Sequence, residues 1–194
     1  MNEQDADKSD ALAWQQASLT PPVADRDHIR GTPGAVATLV VYGDYECPYT
    51  RKSMSVVGQL QQELGEDLRF VFRNFPLTEI HPHALRAAEA AEAADAQGRY
   101  WEMHTYLFAH QHSLEESDLL QYASDLGLDT ARLARDLATH AHLGRINKDV
   151  ESGLLSGVQG TPTLFINGVL HNASWEYDTL AAALQRAINQ SSTQ

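Results

Sequence analysis

Cysteine is almost absent. The 194 residues hold one, Cys47, which excludes an internal disulfide and any disulfide-stapled scaffold. Positive charge is scarce: Lys and Arg number 14 against 26 Asp and Glu, a formal net charge of -12. Nucleic acid and anionic membrane surfaces need clustered positive charge, so neither is expected as a partner. Long apolar runs are missing as well. "AVATLVVY" is far too short to cross a bilayer. The opening residues, "MNEQDADKSDALAWQQ", have neither the basic start nor the apolar stretch of a secretory signal, and a cytoplasmic location is the expectation. What is present, 43% hydrophobic and 21% charged residues, is the composition of a folded domain with a sizeable core or a large insertion.

Residues 1–26 read as a polar N-terminal extension, mobile or loosely docked, in which Trp14 is the exception: a lone tryptophan suits docking onto a partner, but a short helix packed on its own domain is the favoured reading. "GTPG" is turn chemistry, and "ATLVVYGDY" is a β-branched, aromatic run of strand length. Pro48 suits the first position of a helix, where its missing N–H costs nothing. Met54, Val57, Leu60 and Leu64 then recur at helical spacing up to Gly65. "DLRFVFRNFPL" alternates as a strand, so strand, helix and strand follow in order, with a helix long enough for a parallel crossover. From Pro82 to about Ser156 the pattern is helical. Ser113 and Glu116 have capping-box spacing, Gly127 closes that helix, and Asp129 opens the next. "TPTLFING" reads as a strand ending in an Asn-Gly turn, "VLHNAS" as its hairpin partner, and "YDTLAAALQRAIN" as a closing helix.

Cys47 therefore sits at the mouth of a helix. Unsatisfied backbone N–H groups and the positive end of the helix dipole favour the thiolate there, the nucleophilic form. Thr50 falls one turn on, where a Cys-x-x-Cys motif has its second cysteine, and its hydroxyl is placed to donate to a thiolate. It cannot attack a mixed disulfide and release it. Far down the chain, Gly160, Thr161 and Pro162 precede a strand.

"ATLVVYGDYECPY", "FRNFPL…HPHALRAAEAAEAADAQGRYWEMHTYLFAHQ" and "GVQGTPTLFING" together resemble the DsbA-type branch of the thioredoxin superfamily, in order and spacing over most of residues 28–190. The resemblance implies an α/β thioredoxin fold, a central mixed sheet flanked by helices, with an inserted α-helical subdomain. It divides the chain into a first core part at 27–77, the insertion at 78–143, a second core part at 144–190 and a tail at 191–194. It also implies that Cys47 is the exposed nucleophile, with Pro48 and Tyr49 beside it. Pro162 would be a cis-proline packed against it, and Thr161 the residue whose backbone holds an extended substrate. The departure is Thr50. With no resolving thiol the chain cannot store two electrons as an internal disulfide, so unaided dithiol chemistry is excluded by counting. Monothiol exchange remains: Cys47 forms a mixed disulfide with a protein or with glutathione, and an external thiol releases it. Rival readings are a glutathione-dependent transferase or isomerase of the kappa class and a non-catalytic binding module. No bound cofactor is expected, glutathione would act as co-substrate, and the oligomeric state is left open.

Other candidates are weaker. The pairs His81/His83, His110/His112 and His140/His142 lack helix-face i, i+4 spacing and a nearby cysteine, so no metal site is assigned to them. His81 is expected to be structural, near the junction of core and insertion. Asp44 and Glu46 flank the cysteine either as a proton relay or as surface carboxylates. "YWEMHTYLF" has the spacing of a helix packed on a core.

Overall fold

The computed structural model describes residues 17–191; Trp14 lies outside them. Among the described residues five strands form one sheet: β1 (His28–Arg30), β2 (Ala37–Gly43), β3 (Leu68–Asn74), β4 (Thr163–Ile166) and β5 (Val169–Leu170), in the order β1-β3-β2-β4-β5. β2 and β3 are parallel, with Gly43 opposite Asn74, and every other neighbouring pair is antiparallel. The parallel pair needs a crossover, which α1 (Pro48–Leu64) supplies, followed by a 3-10 turn at Gly65–Asp67. The helices α2 (Ala84–Asp95), α3 (Tyr100–Ala109), α4 (Glu116–Asp125), α5 (Thr130–Ala138) and α6 (Leu143–Leu155) come between β3 and β4, and α7 (Tyr177–Ser191) closes the chain.

All seven residues of β2 are buried, because helices cover both faces of the sheet. Side chains alternate along the strands. Leu39, Val41, Phe70 and Phe72 join one core with Val57 and Leu60 of α1, Leu180 and Leu184 of α7, and the helical block. Val40, Tyr42 and Val71 face the other way and pack with Phe75, Val158 and Phe165. In α2 the alanines at 87, 88, 90, 91, 93 and 94 are buried, and their small side chains let neighbouring helices approach closely. Tyr100, Met103, His104, Leu107 and Phe108 of α3 are also buried, so that stripe is core.

Two local readings differ from expectation. α4 is capped by Glu115 and Asp118, not by Ser113 and Glu116: the Ser113 carbonyl instead accepts the Tyr122 hydroxyl at 2.6 Å. The described part of the N-terminal extension is docked. Ser18 bridges to Val169, Leu19 is buried, and the fully buried Arg73 donates to Asp27 at 2.8 and 3.0 Å and to the carbonyls of Pro21 and Pro22. A buried guanidinium is tolerable only with its donors satisfied in this way. At the end of β2, a β-carbon on Gly43 would lie 2.4 Å from the Phe72 ring and 2.8 Å from Thr50 Cγ2. Glycine is what lets strand, ring and helix meet there.

Candidate active site around Cys47

Cys47 is the N-cap residue of α1, with φ -73° and ψ 120°, and Pro48 follows at the first helical position. Cys47 is 3% exposed, buried rather than the exposed nucleophile expected, because the Thr161–Pro162 segment packs against it, and its thiol donates to the Thr161 carbonyl at 3.3 Å. The Thr161–Pro162 peptide bond is cis. Sequence positions 114 residues apart thus meet at the sulfur. The Thr161 hydroxyl is buried with no partner among the described residues. Tyr49 is 60% exposed beside the cysteine.

Thr50 is fully buried. Its Oγ1 accepts from the Asp44 N–H at 3.4 Å, its methyl faces Gly43, and among the described residues no hydrogen bond joins it to the sulfur. A hydroxyl here ties the strand end to the helix, and donation to a thiolate would require the side chain itself to move toward Cys47.

The acidic neighbours are engaged. Asp44, 1% exposed, accepts from the N–H groups of Glu46 at 2.7 Å and Leu77 at 2.8 Å, and its Oδ2 lies 2.8 Å from His81 Nδ1. Glu46 accepts the His83 N–H at 2.7 Å and pairs with His83 Nδ1 at 2.9 Å; His83 Nε2 meets Glu115 at 3.1 Å. The hydrogen bond to Glu46 raises the His83 pKa, and the charges of Glu46 and Glu115 add to it. The "HPH" histidines are therefore clasps between the loop preceding α1 and the segment leading into α2. Sequence spacing hides this, because the partners stand 37 residues apart.

Gln111, just past α3, was not singled out in the sequence, where it sits between two histidines. It is buried, and its Nε2 donates to the carbonyls of Tyr45 at 2.8 Å and Cys47 at 2.9 Å. Behind the loop, the Tyr45 hydroxyl contacts Tyr100 at 3.3 Å and His104 Nδ1 at 3.0 Å. Burial, with the charges of Arg30 and His28, lowers the His104 pKa to about 3, so that ring is neutral.

Two clefts flank the Cys47 loop. One of about 480 Å³ is lined by Glu46, Pro48, His83 and Glu115 among others, and one of about 420 Å³ by Thr161, Pro162, His171 and Trp175 among others. Among the described residues, the group of His, Asp and Glu atoms close enough to share a metal ion lies elsewhere, at His28, Glu92 and Asp95.

A thioredoxin family model matches residues 24–186. The chain belongs to the thioredoxin family. Over 169 residues it is 46% identical to the Na+/H+ antiporter NhaA 3 of Salinispora tropica, covering 87% of this chain and 26% of that protein. The chain spans about a quarter of the length of the curated relatives it matches. Among solved structures, it is similar to oxidised BdbD from Bacillus subtilis, at 20% identity and a TM-score of 0.81 over 90% of this chain and 99% of that one. A thioredoxin-like oxidoreductase from Silicibacter pomeroyi gives 28% identity and 0.75 over 88% and 95%. The thiol-disulfide exchange protein α-DsbA2 of Wolbachia pipientis gives 18% and 0.74 over 96% and 98%. The thioredoxin fold here is the DsbA-like one, with the helical block inserted between β3 and β4.

Proposed function

We propose that this thioredoxin-family chain is a cytoplasmic monothiol thiol–disulfide exchange protein with Cys47 as nucleophile. The observation that carries the reading is a single sulfur at a helix mouth, hydrogen-bonded to the carbonyl that precedes Pro162, in a chain with no second thiol. The Cys47 thiolate attacks one sulfur of a protein disulfide or of oxidised glutathione. A Cys47–S–S–R bond forms, and the other half leaves as a thiolate and takes up a proton. An external thiol, glutathione by class, then attacks the mixed disulfide, restores the Cys47 thiol and carries away the bound half. Pro48 and Tyr49 form one wall of the substrate groove, and Thr161 and Pro162 the other. The α1 N-terminus stabilises the thiolate, and Thr50 joins it once its side chain moves to bring the hydroxyl to the sulfur. A reducing compartment supplies the second thiol.

The test is intact mass after incubation with oxidised glutathione. One glutathione per chain, removed by reduced glutathione and absent from Cys47→Ser, is the expected result. No adduct on native protein would overturn the reading, and a peptide that still binds Cys47→Ser with full affinity would favour a non-catalytic binding module.

A second reading concerns the partner. We infer that the chain works beside a membrane Na+/H+ antiporter. It matches about a quarter of proteins that carry that name, and no helix among its described residues is long and apolar enough to cross a membrane. Those facts support the shared segment being a non-transporting part of the relatives. Saturable binding to vesicles holding an NhaA-type antiporter, and none to empty vesicles, is the expected outcome. Equal binding to both would remove the inference.

A further inference from the structure

The cleft beside Pro48 holds a histidine with one ring nitrogen committed and the other open. His81 Nδ1 lies 2.8 Å from Asp44 Oδ2. The Asp44 side chain is fully buried and that of His81 is 16% exposed. The ring lines the cleft of about 480 Å³ together with Glu46 and Pro48, the two chain neighbours of Cys47. We propose that His81 is the general base of the release step, with Asp44 as its positioning residue, a role that rests on the monothiol reading above. His81 would take the proton of the external thiol that resolves the Cys47 mixed disulfide.

The hydrogen bonds fix which nitrogen does the work. Asp44 Oδ1 accepts the Glu46 N–H at 2.7 Å and Oδ2 accepts the Leu77 N–H at 2.8 Å, so the carboxylate is held in one orientation. A carboxylate only accepts, so the proton of the neutral His81 ring sits on Nδ1 and Nε2 keeps its lone pair. Among the described residues nothing hydrogen-bonds to that Nε2. A buried carboxylate orients the imidazole and stabilises the imidazolium that forms when the far nitrogen takes a proton. Asp44 is tied to the nucleophile as well, because its backbone carbonyl accepts the Cys47 N–H at 3.2 Å.

The other histidines of the cleft are occupied. His83 is engaged at both nitrogens, Nδ1 by Glu46 and Nε2 by Glu115. His112 Nε2 lies 3.4 Å from the Arg51 guanidinium. The charged and titratable groups around His81 are Asp44 and Glu46 from the loop preceding α1, His83 from its own segment, and His112, Glu115 and Asp118 from the far wall.

A base is useful here because the chain has no second thiol, and the resolving thiol arrives protonated. At pH 7 a thiol with a pKa of about 8.5 is roughly 3% thiolate, so its full ionisation would speed attack by about 30-fold at most. As the proton passes to His81 Nε2, the external sulfur attacks the sulfur of the bound half. A disulfide forms between those two, the bond to Cys47 breaks, and its electron pair stays on Cys47 as thiolate. The imidazolium then returns the proton to Cys47 or to water. The external thiol is oxidised, Cys47 is reduced, and no further reactant is needed.

The experiment forms the glutathione adduct on full-length protein and follows its release by reduced glutathione from pH 6.5 to 9.5. His81→Asn places an amide N–H where Nδ1 stood, so it keeps the tie to Asp44 and removes Nε2. The variant should keep its Tm and release glutathione about tenfold more slowly than native protein at pH 7. At pH 9.5, where about nine-tenths of such a thiol ionises unaided, the two rates should agree within twofold. A second readout needs no variant: on native protein, release should fall by clearly less than the roughly eightfold drop in thiolate between pH 8 and 7. Equal rates at pH 7, a deficit that persists at pH 9.5, or native release that tracks the thiolate fraction would each overturn the role of His81. Failure of native protein to form the adduct would instead remove the monothiol reading, and this role with it.

Discussion

The Gln111 side-chain amide holds the Cys47 carbonyl at 2.9 Å from 64 residues away, so the inserted helical block grips the backbone of the nucleophile itself. The same Nε2 reaches the Tyr45 carbonyl, bracketing Glu46 between two fixed points. Gln111→Glu keeps the shape but removes the donor. A buried carbonyl left without its partner costs about 1–3 kcal/mol; the Cys47 carbonyl keeps its bond from the Arg51 N–H, so the loss falls mainly at Tyr45. The expected result is about 2 kcal/mol less stability in urea and glutathione adduct formation slowed about tenfold. An unchanged rate would show that the loop holds its own shape.

Thr50→Cys should convert the chemistry from monothiol to dithiol. The position is fully buried one turn into α1, where an i, i+3 pair forms the usual Cys-x-x-Cys disulfide. After mild oxidation the variant should lose the mass of two hydrogens and no longer retain glutathione. A persistent adduct, with both thiols present, would show that the second sulfur cannot reach the first.

Acid should destabilise the protein through His104. The buried ring stays neutral down to a pKa of about 3, whereas in the unfolded chain it titrates near 6.5. Between those values the unfolded state binds the extra proton, so stability is full above pH 6.5 and falls as pH drops toward 3, by on the order of 4 kcal/mol. His83 works in the opposite sense. Its raised pKa gives a contribution present below the unfolded value and lost as pH rises through the folded one. Urea melts from pH 3 to 8 on native protein and His104→Gln should show a flatter acid limb in the variant. Identical limbs would exclude His104 as the cause.

Gly43→Ala should be costly although it adds one methyl. The new carbon would meet the Phe72 ring at 2.4 Å and Thr50 at 2.8 Å, and overpacking of this kind costs about 1–3 kcal/mol. Pairing it with Thr50→Ser removes one of the two clashing methyl groups and should restore part of the loss. No rescue would place the strain entirely on Phe72.

The sequence makes β2, α1 and β3 legible because apolar spacing switches cleanly from period 2 to period 3.6 and back. It shows the β4–β5 turn too, where Asn167 and Gly168 have φ of 49° and 81°, as an Asn-Gly hairpin requires. β1 escapes notice because three residues beside a turn carry no period. Among the candidate site residues, Cys47 and Pro162 are visible through local chemistry: a cysteine before a helix-starting proline, and a proline before a strand. The clasps Asp44–His81 and Glu46–His83, and the Gln111 anchor, are not. They are single polar contacts between distant segments, and nothing periodic marks them. The Ser113 cap is misplaced by two residues because serine and glutamate compete for the same role, and the Tyr122 contact draws Ser113 away.

Leu19 donates to the Gly168 carbonyl, and Leu170 donates to the carbonyl of Ala17. That pairing gives the outer margin of β5 a cover of the protein's own chain. An exposed strand margin is a template onto which a second copy or an unfolded chain can stack. Here the template is already filled, on the side of the sheet where Thr161 and Pro162 enter β4. A foreign segment approaching the sulfur therefore meets a margin that is closed to strand addition, and must make its backbone contacts at the loop instead. Removal of residues before Thr20 would reopen that margin and turn a selective groove into a site for self-association.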